Sequence, residues 1–173
     1  SIAKLPTLQY IHYQDWKKHN QKAIAQQTDL KKGDSLDPFA VDDAARKIET
    51  FYQTKGFNDV TVEVLEGNKP TDRGAVFLIN EGKVQKIWKV RFEGNNIASD
   101  GRLKTQIETK PPLLWLFKGY VDRQKIEADV ERLTDYYRGL GYFKAQIGRD
   151  YTWNDDESWM TLTFYVNEGP RYV

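Results

Sequence analysis

Residues 36–57 read LDPFAVDDAARKIETFYQTKGF, and residues 121–142 read VDRQKIEADVERLTDYYRGLGY, the same plan repeated without a gap at a constant offset of 85. Asp37 and Asp122 stand where an N-cap side chain accepts the first free N–H groups of a helix, and Pro38 follows at a position where proline is harmless. Leu36 with Val41, and Val121 with Ile126, have the spacing of a hydrophobic staple. Ala45, Ile48, Phe51 and Tyr52 match Val130, Leu133, Tyr136 and Tyr137 as an apolar stripe of helical period. Gly56 and Gly141 then stop the helices, because glycine reaches the left-handed conformation of a C-terminal cap.

The flanks repeat as well. Val60, Val62 and Val64 alternate with Thr61 and Glu63, while Phe143, Ala145 and Ile147 alternate after the second helix, so each helix is followed by a half-buried strand. Turn-rich segments at 67–74 and 154–158 lead into strands at 75–79 and at Met160, Leu162, Phe164 and Val166. Both copies close on the same tripeptide, Asn80-Glu81-Gly82 and Asn167-Glu168-Gly169. Upstream, 8–13 (LQYIHY) reads as a short strand and 16–30 as a modest amphipathic helix with Ala23, Ile24 and Gln27 on its stripe. In the second copy a strand carries Ile87, Val90 and Phe92, and Ser99 or Asp100 caps a short helix through Leu103 and Ile107. The fold class is therefore α+β, two tandem β-α-α-β-β units in which two helices cover one face of a three-stranded sheet and the other face stays wet. The expected bounds are 1–82 and 83–170, with 171–173 opening a following unit. Only Gly82-Lys83 separates the units, which predicts a semi-rigid tandem. The chain starts at Ser1 and stops at Tyr172-Val173 in what reads as a new strand, so a piece of a longer protein is expected.

Composition narrows function. Lys plus Arg number 26 against 25 for Asp plus Glu, a net charge of +1, so no bulk field draws the chain to nucleic acid or anionic lipid. The absence of cysteine removes disulfides, thiolate nucleophiles and zinc-thiolate sites. No run approaches the roughly 20 apolar residues of a membrane-spanning helix.

In its motifs the chain resembles the polypeptide-transport-associated (POTRA) repeats of BamA-type outer-membrane assembly proteins. The resemblance rests on Val90-Arg91-Phe92-Glu93-Gly94-Asn95, Gly119-Tyr120, Tyr136-Tyr137-Arg138-Gly139-Leu140-Gly141-Tyr142-Phe143-Lys144-Ala145 and Val166-Asn167-Glu168-Gly169-Pro170. The first copy matches at Leu30-Lys31-Lys32-Gly33-Asp34, Phe51-Tyr52-Gln53-Thr54-Lys55-Gly56-Phe57 and Ile79-Asn80-Glu81-Gly82, and departs where Gln14-Asp15-Trp16 replaces an acidic-Gly-Asn corner. The resemblance implies a mixed sheet with its second strand at an edge, and a non-catalytic, cofactor-free scaffold in the periplasm, part of an outer-membrane protein. It further implies a membrane β-barrel C-terminal to the repeats in the same full-length chain, accessory assembly lipoproteins as partners, and unfolded outer-membrane protein chains as clients. Alternatives within the resemblance are the arm of a two-partner secretion or organelle protein-import barrel, or a passive spacer.

An exposed sheet edge accepts an extended peptide as an added strand. The candidate binding residues are therefore Val60, Thr61, Val62, Glu63 and Val64 in the first copy, and Phe143, Lys144, Ala145, Gln146 and Ile147 in the second. A second candidate is the apolar run Leu113, Leu114, Trp115, Leu116 and Phe117, part of a six-residue excess over the first copy. The expectation favours Leu114 and Phe117 folding back onto the core or onto the neighbouring repeat; docking a partner or touching a membrane surface is the alternative. The acidic turn Asp155-Asp156-Glu157 lacks the alternation of a calcium loop and reads as a solvated tip. His12 and His19 have no convergent partners for a metal or catalytic site, and Gly139-Leu140-Gly141 follows a helix whereas a phosphate cradle precedes one. Tyr136, Tyr137 and Tyr142 have no basic groove beside them and read as packing residues, not as a base-stacking platform.

Overall fold

The computed structural model describes residues 6–172. The chain divides into two compact units between Lys83 and Val84. The first contains β1 (Tyr10–Gln14), α1 (Gln21–Ala25), α2 (Pro38–Thr54), β2 (Thr61–Glu66) and β3 (Gly74–Asn80). The second contains β4 (Lys86–Glu93), α3 (Asp100–Lys104), α4 (Arg123–Gly139), β5 (Gln146–Trp153) and β6 (Trp159–Asn167).

Each unit builds one mixed sheet, ordered β1-β3-β2 and β4-β6-β5, in which the last strand is central, parallel to the first and antiparallel to the second. The first unit centres on Leu8, Ile24, Leu36, Val41, Ile48, Tyr52, Phe77 and Ile79, the second on Ile87, Leu103, Ile126, Leu133, Tyr137, Met160, Leu162 and Phe164. Ile87 and Val90 both reach the core although three residues apart, because the β4–β6 register shifts between Ile87 and Lys89. The bulge turns Trp88 to the open face, where it meets the Trp159 ring edge-on at 5.9 Å.

The long helices are delimited as their sequences dictate. Asp37 accepts from the Phe39 amide at 3.0 Å and Asp122 from the Lys125 amide at 3.2 Å. At the other end the Phe57 amide reaches the Tyr52 carbonyl and the Gly56 amide the Gln53 carbonyl, at 3.1 and 3.0 Å, while Gly56 has φ of 85°. The second copy repeats this Schellman pair from Tyr142 to Tyr137 and from Gly141 to Arg138, with φ of 91° at Gly141.

The repeated Glu of the closing tripeptides is a clamp. Glu81 is buried, and its Oε1 accepts from the Lys17 and Lys18 amides at 2.8 and 2.9 Å and from the Tyr52 hydroxyl at 2.9 Å. Glu168 does the same for the Ile97 amide at 2.8 Å and the Tyr137 hydroxyl at 3.2 Å. One expectation is corrected here: α1 spans only Gln21–Ala25, not 16–30, and the Lys17 and Lys18 amides ahead of it are held by Glu81. Asn20 caps what remains, accepting from the Ala23 amide at 2.8 Å.

The corner where the first copy departs from the second is explained by backbone. Asp15 has φ of 59° where Gly94 has 85°, so an aspartate occupies the left-handed position that glycine fills in the repeat. The expected new strand at the C-terminus is not formed by the described residues. The Tyr172 amide donates to the Gly141 carbonyl at 2.9 Å, and its ring lies 6.3 Å from that of Phe143. Val173 lies outside the described residues, as do Ser1 to Leu5.

Candidate functional site

Both sheets have two outer edges, and the four are not equally open. On β1 the Trp16 indole N–H donates to the Tyr13 carbonyl at 3.2 Å. On β2 the Val62 amide donates to the Glu49 carboxylate of α2 at 3.0 Å, and the register breaks between Val64 and Glu66. On β4 the bulge at Trp88 disrupts the ladder, and its start is overlaid by the following loop, with the Ile87 amide donating to Gly119 at 2.7 Å and the Val121 amide to Gln85 at 3.0 Å. Strand β5 differs: it pairs with β6 without a break over all eight residues. Among the described residues no side chain or loop takes a backbone group along its outer edge; the Arg149–Glu127 ion pair ties β5 to α4 through side chains alone. Bulges and side-chain plugs are the usual defences of an edge, and β5 lacks them.

The structure places the expected edge residues in two groups. Thr61, Val62, Glu63 and Val64 lie in β2, with Gln146 and Ile147 opening β5. Val60 precedes β2 and is buried. Phe143, Lys144 and Ala145, expected in the strand, form a turn before it, in which the Ala145 amide donates to the Tyr142 carbonyl at 3.0 Å. The first copy makes the same turn, from the Val60 amide to the Phe57 carbonyl at 3.3 Å. One extra reversal after each helix cap thus delays the strand, and Ala145 is buried by it.

The apolar run is the larger surprise. The preferred expectation that Leu114 and Phe117 fold back is not met: Leu114 is 85% and Phe117 40% exposed. A tight turn holds them out, closed by Leu113 amide to Phe117 carbonyl at 3.1 Å and the reverse at 3.3 Å. Leu113 and Phe117 line a cavity of about 360 Å³ together with Val90, Ile107, Thr109 and Pro112, whereas Leu114 and Trp115 take no part in its lining.

Asp129, unremarked in the sequence, anchors the approach to this turn. It is fully buried in α4, accepts from the Glu108 and Thr109 amides at 2.8 Å each, and pairs with Arg132 at 2.8 Å. Its signal was a charged residue inside an otherwise apolar helical stripe. At the acidic hairpin tip Asp156 is engaged by Asn154 at 2.7 Å and by the Ser158 amide at 3.0 Å. The described residues contain no group of three His, Cys, Asp or Glu placed to hold a metal ion.

Electrostatics in the first unit concentrate around the clamp. Burial pushes the Glu81 carboxyl up, but the Lys18 and Lys17 amides and the Tyr52 hydroxyl outweigh it and hold it below its ordinary 4.5. Burial and then the Glu81 bond push the Tyr52 hydroxyl strongly upward. His19 lies edge-on to Phe51, Tyr52 and Phe57 with ring centroids 5.0 to 6.0 Å away, and burial holds it below 6.5 despite the attraction of Glu81.

Comparison with known proteins gives these features a family. The profile described as "Surface antigen variable number repeat" (POTRA) matches residues 11–82 and again 85–169. The outer membrane protein assembly factor BamA of Neisseria meningitidis is 35% identical over 98 residues, 54% of this chain and 12% of that protein. A putative outer membrane protein assembly factor of Treponema pallidum is 26% identical over 151 residues, 83% of this chain and 18% of its own. The chain thus spans less than a fifth of the length of these curated relatives. Among solved structures, POTRA domains 3–5 of Haemophilus influenzae BamA align over 96% of this chain and 67% of theirs, with a TM-score of 0.64 at 15% identity. POTRA domains 1–2 of Anabaena Omp85 align over 97% of both chains, with a TM-score of 0.50 at 14% identity. With two matched segments covering most of its length, each folded as strand, helix, helix, strand, strand, the chain belongs to the POTRA family as two tandem repeats.

Proposed function

We propose that these repeats are a periplasmic, non-catalytic arm of an outer-membrane β-barrel assembly machine, and that the outer edge of β5 receives extended client segments as an added strand. The observation that supports this reading is the contrast among the four edges: β1, β2 and β4 each carry a plug or a bulge, whereas β5 offers eight unbroken residues. Backbone pairing reads little side-chain identity, which suits unfolded outer-membrane chains of differing sequence. The same arm would sit ahead of a membrane β-barrel in the full-length protein and contact accessory lipoproteins, in keeping with the assembly-factor names of its relatives. Of the two edges expected from sequence, β5 is favoured over β2.

The test is a titration of the labelled chain with a peptide of alternating apolar and polar residues, read by amide resonances. Shifts concentrated at Gln146 to Trp153, with an affinity on the order of 10⁻⁴ M or weaker, are expected, since a short pairing must order the peptide. Shifts confined to β2, or absent at saturating peptide, refute the assignment to β5.

A further inference from the structure

The turn at 113–117 is not used by edge pairing. All five of its side chains are exposed, Leu114 at 85% and Trp115 at 79%. Its backbone is built to display them. Leu114 adopts φ of 47°, a left-handed conformation unfavourable for leucine, and the Leu116 amide closes onto the Leu113 carbonyl at 3.0 Å. At the base, Gly119 has φ of 67° and lies so close to Pro112 that an added Cβ would come within 2.3 Å of its ring. The result is a fixed convex projection, not a groove. A groove holds a peptide side chain, whereas a projection needs a partner that closes around it.

Charge points to the nature of that partner. Between 104 and 118 the chain carries Lys104, Lys110 and Lys118, and its single acid there, Glu108, is occupied by Arg132 at 2.7 Å. This local excess contrasts with +1 for the whole chain. Lys110 sits 5.9 Å from the Phe117 ring and donates to the Lys104 carbonyl at 3.3 Å. Lys104 and Lys110 line the cavity under the turn, and Lys118 directly follows it in sequence, so cations flank the base while leucine and tryptophan form the tip. Apolar tip, amphipathic indole and basic collar together match the boundary between headgroups and acyl chains.

We infer that the 113–117 turn inserts into the surface of an anionic bilayer, Leu114 and Trp115 entering the acyl boundary and Lys104, Lys110 and Lys118 meeting lipid phosphates. The inference does not depend on the β5 pairing.

Vesicle flotation tests it, with phosphatidylcholine vesicles prepared with and without phosphatidylglycerol. The chain should float with the phosphatidylglycerol vesicles and should do so less at high salt. The double variant Leu114→Ser/Trp115→Ser should partition about tenfold less or weaker, with unchanged circular dichroism because both side chains are solvent-exposed. Lys110→Gln/Lys118→Gln should lose the preference for phosphatidylglycerol while keeping the tip. Lipids brominated near the glycerol backbone should quench wild-type fluorescence but not that of Trp115→Phe. Equal flotation of wild type and the tip variant, or quenching that survives Trp115→Phe, overturns the inference. So does a concentration-dependent dimer abolished by the tip variant without any flotation, which would assign the turn to a second copy.

Discussion

Removing the clamp residue Glu81 should cost the first unit more than any other single polar substitution in it. In Glu81→Ala the Tyr52 hydroxyl, fully buried, loses its acceptor, a penalty of about 1–3 kcal/mol. The Lys17 and Lys18 amides belong to exposed residues, so water replaces most of what they lose, adding about 0.5 kcal/mol each. The sum is about 2–4 kcal/mol, which for a domain of this size lowers its midpoint by at least about 10 °C. Trp16 is the first unit's sole tryptophan, so fluorotryptophan labelling and ¹⁹F resonances followed through urea report that unit separately from the four tryptophans of the second. Tyr52→Phe should cost less, because Glu81 keeps both amides, and the double-mutant cycle should return a coupling of about 1–2 kcal/mol. A coupling below about 0.5 kcal/mol would refute the clamp as the source of the loss. The pH dependence supplies a sign. Because the Glu81 carboxyl is held below 4.5 in the fold, its contribution is fully present above that value and is lost as pH falls through the lower folded pKa. The gap between wild type and Glu81→Gln should therefore close in acid and be constant at neutrality. The Glu168 clamp has two donors where Glu81 has three, one of them longer, so Glu168→Ala should destabilise the second unit by a smaller amount.

Burial holds His19 below 6.5, so the folded unit resists protonation; stability should decline as pH falls from about 6.5, and His19→Phe should flatten that decline in urea titrations. Gly94→Ala places a Cβ 2.1 Å from the Val166 carbonyl oxygen at φ of 85° and should cost at least about 2 kcal/mol, measured by chemical denaturation. Asp15→Gly at the matching corner should instead stabilise the first unit by about 0.5–1 kcal/mol, since it relieves a left-handed non-glycine residue. Asp129→Ala strips two amides and Arg132 of a buried partner and should cost about 3 kcal/mol, with faster amide exchange at Glu108 and Thr109.

The two helices with their caps, staples and glycine stops were legible because each signal is local: the residues that make the cap lie within a few positions of the backbone they satisfy. The hairpins were legible because a half-buried strand repeats every second residue. What escaped the sequence was set by partners far along the chain. The tripeptide Asn-Glu-Gly was visible as a repeat marker, yet the glutamate of the first copy acts on amides 63 and 64 residues away, a contact no local pattern reveals. The delayed start of β5 escaped for a different reason: Phe143, Ala145 and Ile147 alternate in type, and a turn that buries Ala145 imitates strand periodicity until its amide bond to Tyr142 is seen. Edge openness was also invisible, because Glu49 and Trp16 become plugs only once α2 and the β1 corner are in place. The two copies therefore serve as each other's control. Where they agree, in caps, glycines and clamps, the residues maintain the fold. Where they differ at the surface, at the plugged β2 against the open β5 and at the 113–117 turn that only the second copy has, neither the unbroken β5 edge nor the exposed turn is needed to complete the shared fold, and it is at these two differences that binding should be sought.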